Sequence, residues 1–142
     1  MLAKDFLDFK NWCVVGDVGN EKKYAYRILN KLKENGYNAF GVSLKDGENI
    51  FKSLKEVPCN IEVIDLCINP IKGIEFIKEA KTLGINKVLI QPGAESEEVL
   101  NFCKENGICA IEGCALVELS RRWYLKKFAY LIKKYLLNRF KL

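Results

Sequence analysis

The sequence predicts an α/β domain built on a parallel sheet with helices on both faces. Three observations carry this. Strand-like segments start at intervals of roughly 20–26 residues, the spacing of β-α-β units. A helix-like segment follows most of them, closed by Gly36, Gly84 or Gly107. The strand segments are continuous apolar runs without strict alternation, as in strands covered on both faces. Five parallel strands in the order 3-2-1-4-5 follow, with a basic amphipathic C-terminal helix appended.

The elements read in order as follows. The first ten residues form a short amphipathic helix that packs Phe6 and Phe9 on the sheet. Trp12-Cys13-Val14-Val15 is strand one, ending at Gly16. Tyr24 to Asn35 is a helix with Ile28, Leu29 and Leu32 on its inner face. Ala39 to Ser43 is strand two, closed by Asp46-Gly47, and Leu54 to Pro58 is an irregular connection. Ile61 to Ile68, rich in β-branched residues, is strand three. Pro70 opens a helix with Ile74, Ile77 and Ala80 inward. Lys87 to Ile90 is strand four, Ser96 to Asn106 a helix with acids in its first turn, and Ile108 to Ile111 strand five. The division expected is a body of residues 1–119 and a helical tail of residues 120–142.

The chain has 142 residues, enough for one domain that buries its own core. No apolar stretch approaches the length of about 18 residues that a transmembrane helix needs. The opening Met1-Leu2-Ala3-Lys4-Asp5-Phe6 lacks the layout of a signal peptide, so a cytoplasmic address is expected. Histidine is absent, which excludes Ser-His-Asp and Cys-His nucleophiles and His-ligated zinc. Cys13, Cys59, Cys67, Cys103, Cys109 and Cys114 form no C-x-x-C, and five of the six lie in or beside apolar segments. They read as small buried hydrophobes in a reducing compartment, and no metal site is expected.

In open parallel sheets, ligands bind beyond the carboxyl ends of the strands. Here that edge comprises Gly16-Asp17-Val18-Gly19, Ser43-Leu44-Lys45, Asn69-Pro70, Gln91-Pro92-Gly93 and Gly113-Cys114. The first loop places glycines before a helix N-terminus, the arrangement of a phosphate cradle. Being only G-x-x-G, it reads equally well as a plain strand-to-helix turn. Asp17 and Glu21 oppose a pyrophosphate there, while Lys22 and Lys23 offset them. Lys45 follows strand two, where a lysine suits a phosphate on a ribose; the alternative is a solvated turn lysine.

Several segments together resemble the small, single-domain coenzyme A-binding proteins, relatives of the nucleotide-binding domain of the succinyl-CoA synthetase α subunit. The resemblance runs from about Lys10 to Leu119. It rests on Asn11-Trp12-Cys13-Val14-Val15-Gly16, on Lys23-Tyr24-Ala25-Tyr26-Arg27-Ile28, and on Asn35-Gly36-Tyr37. Its most specific part is Gln91-Pro92-Gly93-Ala94-Glu95-Ser96-Glu97-Glu98, and Gly113-Cys114-Ala115-Leu116-Val117-Glu118 resembles the family's terminal Cys-x-x-x-Glu element. The resemblance implies a Rossmann-like fold that binds CoA or an acyl-CoA through adenosine and phosphates. It implies a pyrophosphate over Gly16, Val18, Lys23 and Tyr24, and an adenosine flanked by Lys45, Asn69 and Pro70; Asp17, Gly19 and Ser43, in the same loops, are counted with the candidate binding residues. Gln91 and Gly93 would complete the edge. Strand two in that family ends Asn-Pro, whereas here it ends Ser43-Leu44.

Cys114 and Glu118 invite a catalytic reading, as nucleophile and base acting on a thioester. The structural alternative is that Cys114 packs while Gln91 and Glu118 bond backbone amides. The related synthetase also uses a phosphorylated histidine, so ligation with ATP is not expected from a sequence without one. A binding or sensing protein without independent turnover is the function expected. An acyl-CoA-processing enzyme using Cys114 and Glu118 is the alternative, and an interaction protein acting through its tail a third.

Residues 121–142 contain Arg121, Arg122, Lys126, Lys127, Lys133, Lys134, Arg139 and Lys141 and no acid. Removing those eight from the 23 basic residues leaves 15 against 18 acids, so the body carries a net charge of −3. Ser120 is a candidate N-cap for a helix from Arg121 to about Arg139. Tyr124, Phe128, Leu131 and Tyr135 form its stripe, widened by Leu125, Ile132 and Leu136. Docking on its own domain or on a second copy, as in a homodimer, is the leading reading. Contact with an anionic membrane surface is the second, which would place the protein at the inner membrane surface. Nucleic-acid contact has no motif behind it.

Overall fold

Asn11–Gly16 (β1) forms the centre of the sheet, and its apolar sequence follows from that place. Cys13 and Val15 enter the core on one face, Trp12 and Val14 the core on the other. The computed structural model describes residues 1–140. In chain order the elements after β1 are α1 (Tyr24–Glu34), β2 (Asn38–Val42), β3 (Ile50–Phe51), β4 (Val63–Cys67), α2 (Pro70–Thr82), β5 (Lys87–Ile90), α3 (Glu97–Glu105), β6 (Cys109–Glu112) and α4 (Ala115–Arg139). The N-terminal helix is a 3-10 helix, Ala3–Asp8, that buries Phe6 and Leu7.

All strand pairs are parallel, in the order β3-β2-β1-β4-β5-β6. The α/β class and the Rossmann-like arrangement are as expected, with two corrections. The sheet has six strands rather than five: Ile50–Phe51, only two residues long and half-buried, supplies the outermost one. The segment expected as the third strand, Ile61–Ile68, is β4, and it pairs with β1 from Trp12↔Val63 to Gly16↔Cys67. Its run of buried residues fits a place inside the sheet, not at its edge. The chain therefore reverses its direction of growth between β1 and β4, and the carboxyl ends of those two strands lie side by side.

The helices follow their sequence signals. In α1, Ile28, Leu29 and Leu32 are buried, and Gly36, at φ +82°, ends the helix in a conformation that a side chain would strain. In α2, Asn69 caps the N-terminus by accepting from the Lys72 N–H, and Ile74, Ile77 and Ala80 are buried. Ser96 caps α3 by accepting from Val99 N–H.

The tail helix differs from its expected start. α4 runs for 25 residues from Ala115, so Ser120 lies within it and caps nothing. Ala115 and Leu119, one turn apart, are buried against the core and begin the helix early. Arg122 then pairs with Asp8 at 3.1 Å. Beyond it, residues 123–140 are all exposed. The helix is also less one-sided than its stripe: at about 100° per residue, Trp123, Tyr130 and Leu137 fall among the lysines and Arg139 among the apolar residues.

Candidate functional site

The switch point needs a glycine at the end of β1. A Cβ on Gly16 would lie 2.3 Å from the Cys67 carbonyl oxygen and 3.0 Å from the Ala25 Cβ. Only a bare backbone lets β1, β4 and the start of α1 converge this closely. The loop that follows is held by Val18, which is buried and sits over Gly41, where an added Cβ would meet its Cγ2 at 2.7 Å. Val18 thus fixes the loop by packing, while Gly19 lies against Ile50.

A cleft of about 340 Å³ opens at this point, lined by Asp17, Lys23, Tyr24, Ala25, Lys45, Cys67, Ile68 and Asn69. The fold therefore brings together five residues singled out in the sequence: Asp17, Lys23, Tyr24, Lys45 and Asn69. Pro70 adjoins it at the first position of α2. Ser43 is buried, and its Oγ accepts from the Lys45 N–H at 3.2 Å, which orients the loop carrying Lys45. Two larger clefts lie elsewhere: about 400 Å³ between the end of α1 and the first turns of α4, and about 420 Å³ between the segment Leu44–Ser53 and α2. The lining of the second includes Leu44 and Ile71, both exposed, which in the chain lie next to Lys45 and two residues after Asn69 of the switch-point cleft.

The electrostatics of the cleft are mixed. Lys45 Nζ donates to Asp17 Oδ2 at 2.8 Å. That hydrogen bond, assisted by the charges of Lys45 and Lys23, holds the Asp17 carboxyl below its usual range. No side chain caps α1: Lys23 occupies the N-cap position, and the first turn holds no acid. The uncapped amides and the partial positive charge of the helix end therefore face the cleft beside two lysines, a setting for an anion.

Gln91 and Gly93 are placed otherwise. Gln91 is buried, and its Nε2 donates to Asp65 Oδ2 at 2.9 Å. Asp65 is fully buried in β4; its other oxygen has no partner among the described residues. Burial pushes its carboxyl up to about 8, against the hydrogen bond from Gln91. The Gly93 N–H donates to Glu95 at 2.7 Å. Cys114 precedes α4, and Glu118 pairs with Arg121 at 3.2 Å, in a groove formed with Lys4, Asp5, Leu7, Asp8 and Arg122. Glu118 lies outside the lining of the switch-point cleft.

Four of the cysteine thiols are disfavoured as thiolates, chiefly by burial: Cys67 is pushed up to about 12, Cys103 to about 11, and Cys13 and Cys59 upward. Cys109 is instead exposed on the edge strand β6. Among the described residues, no cluster of acids and cysteines fits a metal ion. Sequence reasoning missed Ala25, Cys67 and Ile68 as cleft residues. For Cys67 and Ile68 the signal was the apolar end of β4, which points to the cleft only when β4 is known to adjoin β1; for Ala25 it was a small residue in the first turn of α1.

A family model for a CoA binding domain matches residues 10–120. The chain belongs to this CoA-binding domain family. The match ends within a residue of the stretch over which the sequence resemblance ran, and it supports CoA binding in general. Among solved structures, this family member is similar to a conserved hypothetical protein from Pyrococcus furiosus, at 33% identity and a TM-score of 0.70, over 78% of this chain and 99% of that one. It is similar also to a hypothetical protein from Pyrococcus horikoshii, at 25% identity and a TM-score of 0.77, over 83% and 87% of the two chains. The dinucleotide forming acetyl-coenzyme A synthetase 1 of Ca. Korarchaeum cryptofilum shares the fold, at 17% identity and a TM-score of 0.61, over 81% of this chain and 28% of that one. No functionally curated protein matches the chain.

Proposed function

We propose that the protein binds CoA or an acyl-CoA through its adenosine and phosphates, as a binding or sensing protein without turnover of its own. The observation that carries this reading is the meeting of Lys23, Lys45 and the uncapped start of α1 in one cleft at the switch point. In this reading the pyrophosphate lies over Gly16–Gly19 and takes the amides of α1. Lys45 leaves Asp17 for the phosphate on the ribose. Leu44 and Ile71, exposed on either side of the neighbouring cleft, offer apolar surface to the adenine. A cleft of about 340 Å³ is at the small end of ligand sites, so the pantetheine arm lies along the surface.

The acyl-CoA-processing alternative needs Glu118 as a base, and its carboxylate is instead paired with Arg121 at 3.2 Å. The test of location is the amide NMR spectrum. On addition of CoA, the resonances of Asp17–Tyr24, Lys45, Asn69 and Ile71 move, while those of residues 97–105 stay. Movement confined to other parts of the chain contradicts this placement.

A further inference from the structure

Beyond Lys126, α4 is a helix without a partner among the described residues. Residues 123–140 are exposed throughout, including Leu125 at 69%, Phe128 at 64% and Tyr135 at 60%. Its base lies at the amino edge of the sheet, where Arg122, Trp123 and Lys126 border Lys10, Asn35 and Tyr37. From Lys127 to Arg139 it extends for about 20 Å at 1.5 Å per residue. The nucleotide cleft is at the opposite, carboxyl edge.

We propose that this segment docks on an anionic membrane surface, with its apolar side in the acyl boundary and its lysines among the headgroups. Charge complementarity selects this occupant. The segment carries cations and no acid. Among the described residues, no carboxylate pairs with Lys126, Lys127, Lys133, Lys134 or Arg139. Pairing with the same helix of a second copy through the apolar side would leave the lysines without a counter-charge. An anionic lipid layer neutralises each of them.

The shape agrees. Leu125, Phe128, Leu131, Ile132, Tyr135 and Leu136 span about half the circumference at about 100° per residue. Lys126, Lys127, Lys133 and Lys134 lie on the other side together with Leu137, while Arg139, the last residue of the helix, falls on the apolar side. Trp123 and Tyr130 lie among those lysines, and both residue types favour the headgroup level. Among the described residues no helix is long and apolar enough to cross a membrane, so the helix lies on the surface.

The test is co-sedimentation of the full chain with vesicles of phosphatidylcholine containing about 30 mol% phosphatidylserine, against pure phosphatidylcholine. Binding to the anionic vesicles only, weakened by salt, is expected. A full-chain K126Q/K127Q/K133Q/K134Q variant should lose about 100-fold or more in partitioning. L125S/F128S/Y135S should lose at least about tenfold. Both should keep the wild-type melting temperature, because the altered side chains lie outside the core. The proposal is overturned by failure to bind anionic vesicles, by equal binding to neutral ones, or by a glutamine variant that binds unchanged. Burial of the helix in a stable dimer, or retention on duplex DNA or RNA without vesicle binding, overturns it as well.

Discussion

Lys45 Nζ lies 2.8 Å from the Asp17 carboxylate, tying the loop after β2 to the loop after β1 across the candidate phosphate site. Lys45 is 73% exposed in its side chain, so the pair is worth about 0–1 kcal/mol and opens readily. A phosphate on the ligand's ribose competes with Asp17 for the same ammonium. Asp17→Asn should therefore raise CoA affinity by about three- to tenfold. Lys45→Ala should lower it by about tenfold or more, and should lower affinity for dephospho-CoA much less. Calorimetry with both ligands reads the difference. Equal losses for the two ligands would remove Lys45 from the ribose phosphate.

Gly16→Ala should damage both fold and site. Its Cβ would lie 2.3 Å from a backbone oxygen of β4, which cannot yield without moving the strand. A loss of about 1–3 kcal/mol is expected in urea unfolding, with weaker CoA binding. Wild-type stability would show that β1 and β4 are not pressed together at this point.

Asp65 ties stability to pH. Its folded carboxyl is raised to about 8 from 3.8, so between these values the native state binds a proton that the unfolded chain has released. Stability should fall as pH rises from about 4 to about 8. Asp65→Asn should flatten that slope, with the gain over wild type greatest above pH 8. Urea midpoints at pH 5 and pH 9 test this. An unchanged slope in the variant would mean that another group sets it.

The alternation of strands and helices was legible because glycines and caps punctuate it and the apolar runs are long. The place of β4 was not, because the strand that displaces it to the centre, Ile50–Phe51, is two residues long and carries no periodicity. The cleft was legible in outline because the loops at the carboxyl edge follow directly from the strand assignments. The pairing of Gln91 with Asp65 was not. The two are 26 positions apart, and meet only because β4 and β5 are neighbours. Ser120 misled in the other direction: a good capping residue was overruled by the burial of Ala115 and Leu119.

Thiol labelling should follow the same geometry. Cys109, exposed on β6, should react first with a thiol reagent. Cys13 and Cys103, buried and raised well above the usual thiol range, should react only on unfolding. Mass spectrometry of partially labelled protein assigns the order. Early labelling of Cys13 would mean that the sheet opens locally at β1.

The central claim is that the cleft between β1 and β4 holds CoA by its phosphates. Calorimetric titration of the purified full chain with CoA, dephospho-CoA and NAD at one salt concentration tests it most directly, after checking that no nucleotide has co-purified. Saturable binding of CoA is expected, weakening on loss of the 3′-phosphate and with rising salt. No heat with CoA from ligand-free protein, or binding of NAD in preference, would contradict it.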